Sequence, residues 1–402
     1  MFKIAFRNIF RNKKRSLLTA MSVVVGVAGI IVGLSWIDGT VNMMEEAGRR
    51  VTGDIRITSK DFDIKEKSLD VEASIEYRNI DKVMKNIKGI ENSVPRIKFG
   101  GAMFFGDENI AGLGYGIEKK DYNIIGFDKF IYKGRFLDYS NENEIIIGKT
   151  IKDKLNLKIG DEVTLLTNTI NKEMSALNYK VVGFYKMDNS KLNRSYYIRL
   201  KDAEYLLDMD GLATEYVIYL KNKKDILKKK LELKNKIVNK NLEIKGWNEI
   251  GFNRYTAGVF PIVKYVLALA LAILSGVGIA NTMLMVVFER KKEIGVLKAL
   301  GMYRYKIFNM FVLEGVILTS IGAVLGIMLG GGISYYFSIK GIHLGNVVDR
   351  LSSDINVKST IYMKPTLGTI YFAIVLSLII SVLATTIVTL YEVRKAPVEN
   401  LR

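Results

Sequence analysis

Residues 289–308, ERKKEIGVLKALGMYRYKIF, decide how the chain is read. This short basic segment lies between two runs without a charge, Tyr265–Phe288 before it and Gly315–Ile339 after Glu314. Two further runs, Ser16–Ile37 and Pro365–Tyr391, are equally bare. Each exceeds the ~20 residues that a helix needs to cross a ~30 Å hydrocarbon core. Only helices or closed barrels satisfy backbone polar groups in lipid, and runs of this length specify helices. Bulk composition hides the pattern, because 49% hydrophobic and 25% charged residues average to a mean hydropathy of only +0.15. The expected fold class is an α-helical membrane protein with four transmembrane helices plus a large mixed α+β extracytoplasmic domain between helices 1 and 2.

Lysine and arginine set the expected orientation. Lys3, Arg7, Arg11, Lys13, Lys14 and Arg15 precede the first run. Arg290, Lys291, Lys292, Lys298, Arg304 and Lys306 separate the second from the third, and Arg394, Lys395 and Arg402 follow the fourth. An even number of spans places all three groups on one face, the cytoplasmic one. The chain then divides into a cytoplasmic amphipathic N-terminal helix (1–15), transmembrane helix 1 (16–37), an extracytoplasmic domain (38–264) and transmembrane helix 2 (265–288). A cytoplasmic segment (289–314), helix 3 (315–339), a short outer loop (340–364), helix 4 (365–391) and a cytoplasmic tail (392–402) follow. Phe2, Phe6, Ile9 and Phe10 recur at helical spacing among basic residues, the pattern of an interfacial helix on anionic headgroups. The first run is too long for a signal-peptide core, and no small-residue cleavage site follows it in SWIDGTVNMM, so it reads as an anchor. The net charge of +18 follows from these flanks and a lysine-covered domain, and implies no nucleic acid.

Between the first two runs, DIRITS, VPRIKFGGAMFF, EIIIG, EVTLL, YKVVGFY, SYYIRL and TEYVIYL carry the β-branched and aromatic content of strands. NIDKVMKNIKG, TIKDKLN, KDAEYLLDM and KKDILKKKLELKNKIVNK read as helices. A middle lobe near Ala111–Lys191 is expected between two flanking pieces that pair with each other. In the lysine-rich helix, Leu227, Leu231, Lys234 and Val238 are expected near one face, with Ile226, Leu233 and Ile237 beside it and a solvated basic remainder.

Reactive chemistry is missing from the sequence. There is no cysteine and one histidine, His343, so no metal site is expected. EIIIGKT ends like a phosphate-binding loop, but the first glycine of that motif would fall at Asn143, and a strand turning at Gly148 accounts for it better. GLGYG at Gly112–Gly116 lacks dinucleotide-site spacing and reads as a loop or twisted strand. The apolar runs contain no Asp, Glu, Lys, Arg or His, which argues against proton- or sodium-coupled transport. They do carry small residues four apart: Gly322, Gly326 and Gly330 in the third run, Ser377, Ser381 and Thr385 in the fourth, Gly29 and Gly33 in the first. Such faces allow close helix packing in lipid.

In the quoted stretch, Ile294, Leu297 and Leu300 recur at helical spacing, and Gly301 suits a left-handed residue that ends a helix. Glu289 and Glu293 lie toward its N-terminus and Lys298 toward its C-terminus, both favourable to the helix dipole. Two readings fit: a loop resting on the bilayer, or a docking helix received by a groove on a cytosolic partner.

The stretch resembles the coupling segment of ABC-transporter permeases of the MacB/LolC–LolE/FtsX superfamily, with the pattern E-R-x-x-E-I-G-x-L-[KR]-A-L-G. Glu289, Arg290, Glu293, Ile294, Gly295, Leu297, Lys298, Ala299, Leu300 and Gly301 match it. FRNIFRNKKRSLLT and RKAPVENLR resemble the family's opening and closing motifs, and the order of spans agrees. TGDIRITSKDF and EIIIGKTIKDKLNLKIGDEVTLL resemble segments of the lipoprotein-releasing (LolC/LolE-like) type through Gly148, Leu155, Gly160, Asp161 and Val163, although Asp54 stands where that type has histidine.

The resemblance implies a bacterial cytoplasmic-membrane permease subunit of an ATP-driven complex. Its partners would be a cytosolic ABC ATPase dimer, which binds ATP and Mg, and a second permease copy or paralogue. The cargo would be a lipoprotein or another amphipathic molecule, with membrane lipids around the spans. The chain has no Walker motif, so it is not expected to be an enzyme. MacB-like export of peptides or small molecules and FtsX-like control of a cell-wall hydrolase are the alternatives on the same engine.

Overall fold

The computed structural model describes residues 13–65, 69–187, 190–237, 239–289, 295–296, 300–343 and 360–394. Four long helices carry the apolar runs: α1 (Lys13–Thr52), α7 (Gly251–Glu289), α8 (Arg304–Lys340) and α9 (Leu367–Arg394). All four contain stretches long and apolar enough to cross a membrane. Between α1 and α7 in the chain come five shorter helices: α2 (Phe62–Lys65), α3 (Tyr77–Met84), α4 (Lys149–Lys154), α5 (Leu200–Leu207) and α6 (Ile226–Lys236). The chain divides into two compact units, one holding the described residues up to Asn42 with Gly258–His343 and those from Thr360 onward, the other holding Met43–Ala257.

In the helical unit, α1 supplies the centre of the core. Val23, Val27, Ile30, Ile31 and Leu34 are fully buried, together with Ala272 of α7, Phe311 and Ala323 of α8, and Ala373 of α9. Their spacing of three and four residues makes one continuous stripe. The opposite faces of α7 and α8 expose Val266, Leu269, Ile273, Val324 and Met328, as lipid-facing positions do.

The other unit is built on a sheet ordered β12-β1-β11-β3-β4-β9-β6-β8-β5, with β7 (Glu162–Asn168) pairing β3 and β8. Its strands are β1 (Ile55–Ser59), β3 (Ile90–Phe105), β4 (Glu108–Ile117), β5 (Ile131–Gly134), β6 (Glu144–Gly148), β8 (Met174–Tyr185), β9 (Ser195–Arg199), β11 (Glu215–Leu220) and β12 (Leu242–Gly246). Two-residue strands β2 (Ile75–Glu76) and β10 (Leu212–Ala213) form a separate small pair, as do β13 (Ile342–His343) and β14 (Thr360–Ile361) in the helical unit. The flanking pieces do pair: β1 lies between β11 and β12, both antiparallel. The long strand β3 joins the lobes. Its first part pairs β11 from Ile90 to Arg96, and its second pairs β4 from Ile97 to Phe105. Ile55, Ile80, Tyr216 and Leu233 fill one core, Phe99, Ile147, Tyr179 and Tyr196 a second, and Ile117, Phe127, Tyr185 and Tyr197 a third.

Of the two readings of GLGYG the strand holds: it lies wholly in β4, where its glycines make room for neighbours, since a Cβ on Gly114 would sit 2.4 Å from the Phe99 ring and one on Gly116 2.4 Å from Ala203. Other expectations are corrected. In α6 the buried residue is Leu233, at 1% exposure, with Ile226 and Ile237 packed beside the same core, whereas Leu227 and Leu231 are 72% and 56% exposed. The sheet meets the i, i+7 pair, not the i+1, i+5 pair. Helix α8 starts at Arg304 instead of Gly315, so the segment expected to extend to residue 314 ends earlier. Ile307, Met310, Phe311 and Glu314 repeat at three and four residues and are all buried, a helical stripe that the polar content had masked. Helix α9 begins at Leu367, with the Thr366 hydroxyl accepting from the Thr369 amide, so Pro365 stays outside it. His343 lies on the exposed end of β13 with Nδ1 3.2 Å from the Thr360 hydroxyl.

Candidate functional site

Within 289–301, Glu289 is the last residue of α7. Arg290, Glu293, Ile294, Leu297, Lys298 and Ala299 lie outside the described residues, as do the amino-terminal residues 1–12 and the tail 395–402. Gly295 is buried in helical backbone, and its neighbour Val296 is exposed. The Leu300 amide donates to the Val296 carbonyl at 2.9 Å, an i to i+4 bond of helical type. Gly301 then has φ of +80°, the left-handed conformation that glycine reaches without Cβ strain and that ends a helix. Leu300 is 79% exposed beside it. Removing a leucine from water yields roughly 1.5–3 kcal/mol. An exposed leucine at a helix end is therefore available to a receiving surface.

The glycine faces have definite neighbours. A Cβ on Gly322 would stand 2.7 Å from Val23 Cβ, one on Gly326 2.8 Å from Val27 Cβ, and one on Gly330 2.7 Å from Ala28 Cα. The three thus let α8 lie directly on the backbone of α1. On another side of α1, Gly33 meets Leu267 and Leu271 of α7. Ser377, Ser381 and Thr385 are buried in α9, and the Thr319 hydroxyl of α8 donates to Ser381.

Polar residues at the ends of the runs, which the search for interior charge passed over, complete this unit. Lys264 of α7 pairs with Asp38 of α1 at 2.6 Å, and the Thr369 hydroxyl of α9 donates to the other Asp38 oxygen at 3.1 Å. One carboxylate therefore ties three helices. The positions flanking the charge-free runs were the available signal.

The sheet unit holds the last turns of α1 by a second polar cluster. Arg96 on β3 donates to the Val51 carbonyl at 2.5 Å, and the Tyr219 hydroxyl donates to the Arg50 carbonyl at 2.8 Å. These carbonyls belong to the last four of a helix, which have no partner within it. Arg96 is fully buried against Asp121, whose Oδ1 accepts from its Nε at 2.9 Å and its Nη2 at 2.5 Å. Arg96 is held above the ordinary arginine range: burial opposes its charge, and Asp121, Tyr219 and Glu215 together more than offset that. Arg49 reaches both Glu45 and Asp54 and lies over the Trp247 ring at 4.9 Å. Asp54 Oδ2 accepts from the Leu220 amide at 2.7 Å. The residue that departs from the lipoprotein-releasing pattern thus anchors helix, turn and β11 together.

The arrangement contains helix-packing faces, a helix clamp and an exposed helix end. Among the described residues no group of histidine, cysteine or carboxylate side chains could hold a metal. Residues 16–232 match the MacB-like periplasmic core domain, and residues 265–397 match the FtsX-like permease C-terminal domain. This chain belongs to the MacB/FtsX superfamily of ABC-transporter permeases. The permease is 28% identical over 349 residues to an uncharacterized ABC transporter permease of Methanocaldococcus jannaschii, covering 81% of each chain. It is 24% identical over 358 residues to the uncharacterized ABC transporter permease YknZ of Bacillus subtilis, covering 84% of this chain and 87% of that one. The match to the macrolide export ATP-binding/permease protein MacB of Neisseria gonorrhoeae is 23% over 360 residues and covers 84% of the permease. There it spans only about half of the relative, 53% of its length. Among solved structures, the periplasmic region of MacB from Actinobacillus actinomycetemcomitans aligns over 52% of the permease and 95% of that region, with 12% identity and a TM-score of 0.38.

Proposed function

We propose that the permease is driven from its 289–301 end by a separate cytosolic ABC ATPase dimer, with a second permease copy or paralogue, and that it transmits the motion to the sheet unit, which lies outside the membrane. The observation carrying this reading is the clamp on α1. Its last carbonyls are held by Arg96 and Tyr219, and Arg49 and Asp54 fix the turn that follows. A helix whose end is so held moves the sheet when it is displaced, whereas a fraying end would dissipate the displacement. The family membership supports an ATPase partner, and the exposed Leu300 beside a left-handed glycine supports a docked helix end.

The cargo in this reading is amphipathic. The Gly148–Val163 segment favours a lipoprotein leaving the membrane. The likeness to MacB relatives favours the second reading, export of peptides or small molecules. Co-purification of the permease with its ATPase, followed by identification of the bound cargo by mass spectrometry, separates the two. Recovery of the complex without an ABC ATPase would overturn both.

A further inference from the structure

The sheet unit contains a cleft that the transmission reading does not use. It is a partly open cleft beside the last turns of α1, with a cavity volume of about 50 Å³. Ile125, Phe130, Met187, Leu192, Tyr115 and Tyr197 line it. The two tyrosine rings stack at 5.0 Å between centroids, forming a flat wall. Met187 and Tyr197 are buried, while Ile125, Phe130 and Leu192 are only partly so, leaving apolar surface accessible from the opening. A concave apolar site with a few convergent polar groups is the usual form of a small-molecule site.

Three charged residues also line the cleft: Arg50, Arg96 and Glu215. Arg96 is neutralised by Asp121 at 2.5 Å and Glu215 by Arg56 at 3.3 Å. The Arg50 side chain has neither ion pair nor hydrogen bond among the described residues, although it is half-buried and sits next to the fully engaged Arg49. One positive charge is therefore left over at the edge of an aromatic and aliphatic cleft. A neutral apolar ligand would leave it unused, and a hydrophilic anion would leave the apolar wall exposed to water.

We infer that this cleft binds a small amphipathic anion, its short hydrocarbon end between the Tyr115–Tyr197 wall and Leu192 and its phosphate or carboxylate on Arg50. The cavity takes up only the end of a short hydrocarbon chain, the rest lying along the opening, and the charged end adds a strong hydrogen bond. Such a molecule has two possible sources, an anionic lipid of the bilayer or a soluble amphipath. The inference concerns binding alone and stands apart from the ATPase reading.

The test is calorimetric titration of the full chain in zwitterionic-lipid nanodiscs with hexyl phosphate, hexanol and inorganic phosphate, with empty discs subtracted. Hexyl phosphate is expected to saturate at one per chain, about tenfold more tightly than hexanol, and inorganic phosphate to give no heat of binding. Arg50→Gln is expected to remove that tenfold preference and leave hexanol unchanged, while Leu192→Trp fills the cleft and abolishes both. Discs containing anionic lipid distinguish the sources: competition with hexyl phosphate identifies a bilayer lipid, and its absence a soluble amphipath. Equal binding of hexyl phosphate by the unmodified chain and Arg50→Gln overturns the inference. So does undiminished binding by Leu192→Trp.

Discussion

Arg96 donates to the main-chain oxygen of Val51, the residue before the last one in α1, across 2.5 Å. The same guanidinium is buried on Asp121, so a strand side chain holds the end of a helix that begins at Lys13. Any displacement of that helix end must either carry β3 with it or break the hydrogen bond that a buried guanidinium donates to it.

Arg96→Met is expected to destabilise the sheet unit by about 3–5 kcal/mol, because Asp121 is left buried without its counter-charge. The double variant with Asp121→Leu should recover most of that loss. Thermal unfolding of the two variants checks this. In the reconstituted complex the double variant should hydrolyse ATP normally yet move less cargo, since the Val51 carbonyl stays unheld.

Gly326→Val would place a Cβ 2.8 Å from Val27 Cβ and force α8 off α1. Overpacking of this kind costs about 1–3 kcal/mol. Gly331→Ala, whose new methyl would meet nothing within 4 Å, should be neutral or slightly stabilising. Unfolding in mixed micelles compares the pair, and equal stability of the two variants would contradict the packing described.

Leu300→Asp is expected to leave membrane insertion intact and to uncouple ATP hydrolysis from cargo movement, because a carboxylate at this exposed position faces a costly desolvation on docking. Cargo release per ATP consumed is the measurement, and an unchanged ratio in this variant would rule out docking through this helix end.

Glu144 supplies the pH dependence. Burial alone would raise its carboxyl, but hydrogen bonds from Arg135, the Asp138 amide and Asn141 outweigh that and hold it below the ordinary range. Its stabilising contribution is therefore present above the unfolded value near 4.5 and is lost as pH falls through the lower folded value. Glu144→Gln should cost about 2 kcal/mol at neutral pH and flatten the acid limb of the stability profile. Chemical denaturation between pH 3 and pH 7 reads both effects.

The spans were legible because membrane insertion depends on local length and apolarity, which the charge-free runs display residue by residue. Most strands were legible for a similar reason, since β-branched or aromatic runs such as EIIIG and SYYIRL are buried on both sides. GLGYG was legible only as loop or strand, because what its glycines make room for, Phe99 and Ala203, arrives from elsewhere in the chain. Leu227 and Leu231 misled because a helix with apolar residues on two adjacent faces does not state which face the sheet will cover. Asp38, Lys264 and Thr369 showed no pattern at all, being far apart in sequence and joined only by three helices meeting.

The sequence by itself determined the four helices long and apolar enough to cross a membrane, the small-residue faces, the strand-rich segment and the helix-ending glycine at 301, because each is written in a window of neighbours. Only the tertiary structure decided that Arg96 holds the end of α1, that Asp54 links that helix to β11, and that Arg50 is left unpaired at an apolar cleft. Those facts depend on which distant charges a shared, water-poor interior brings within a few ångströms, and local periodicity does not encode that.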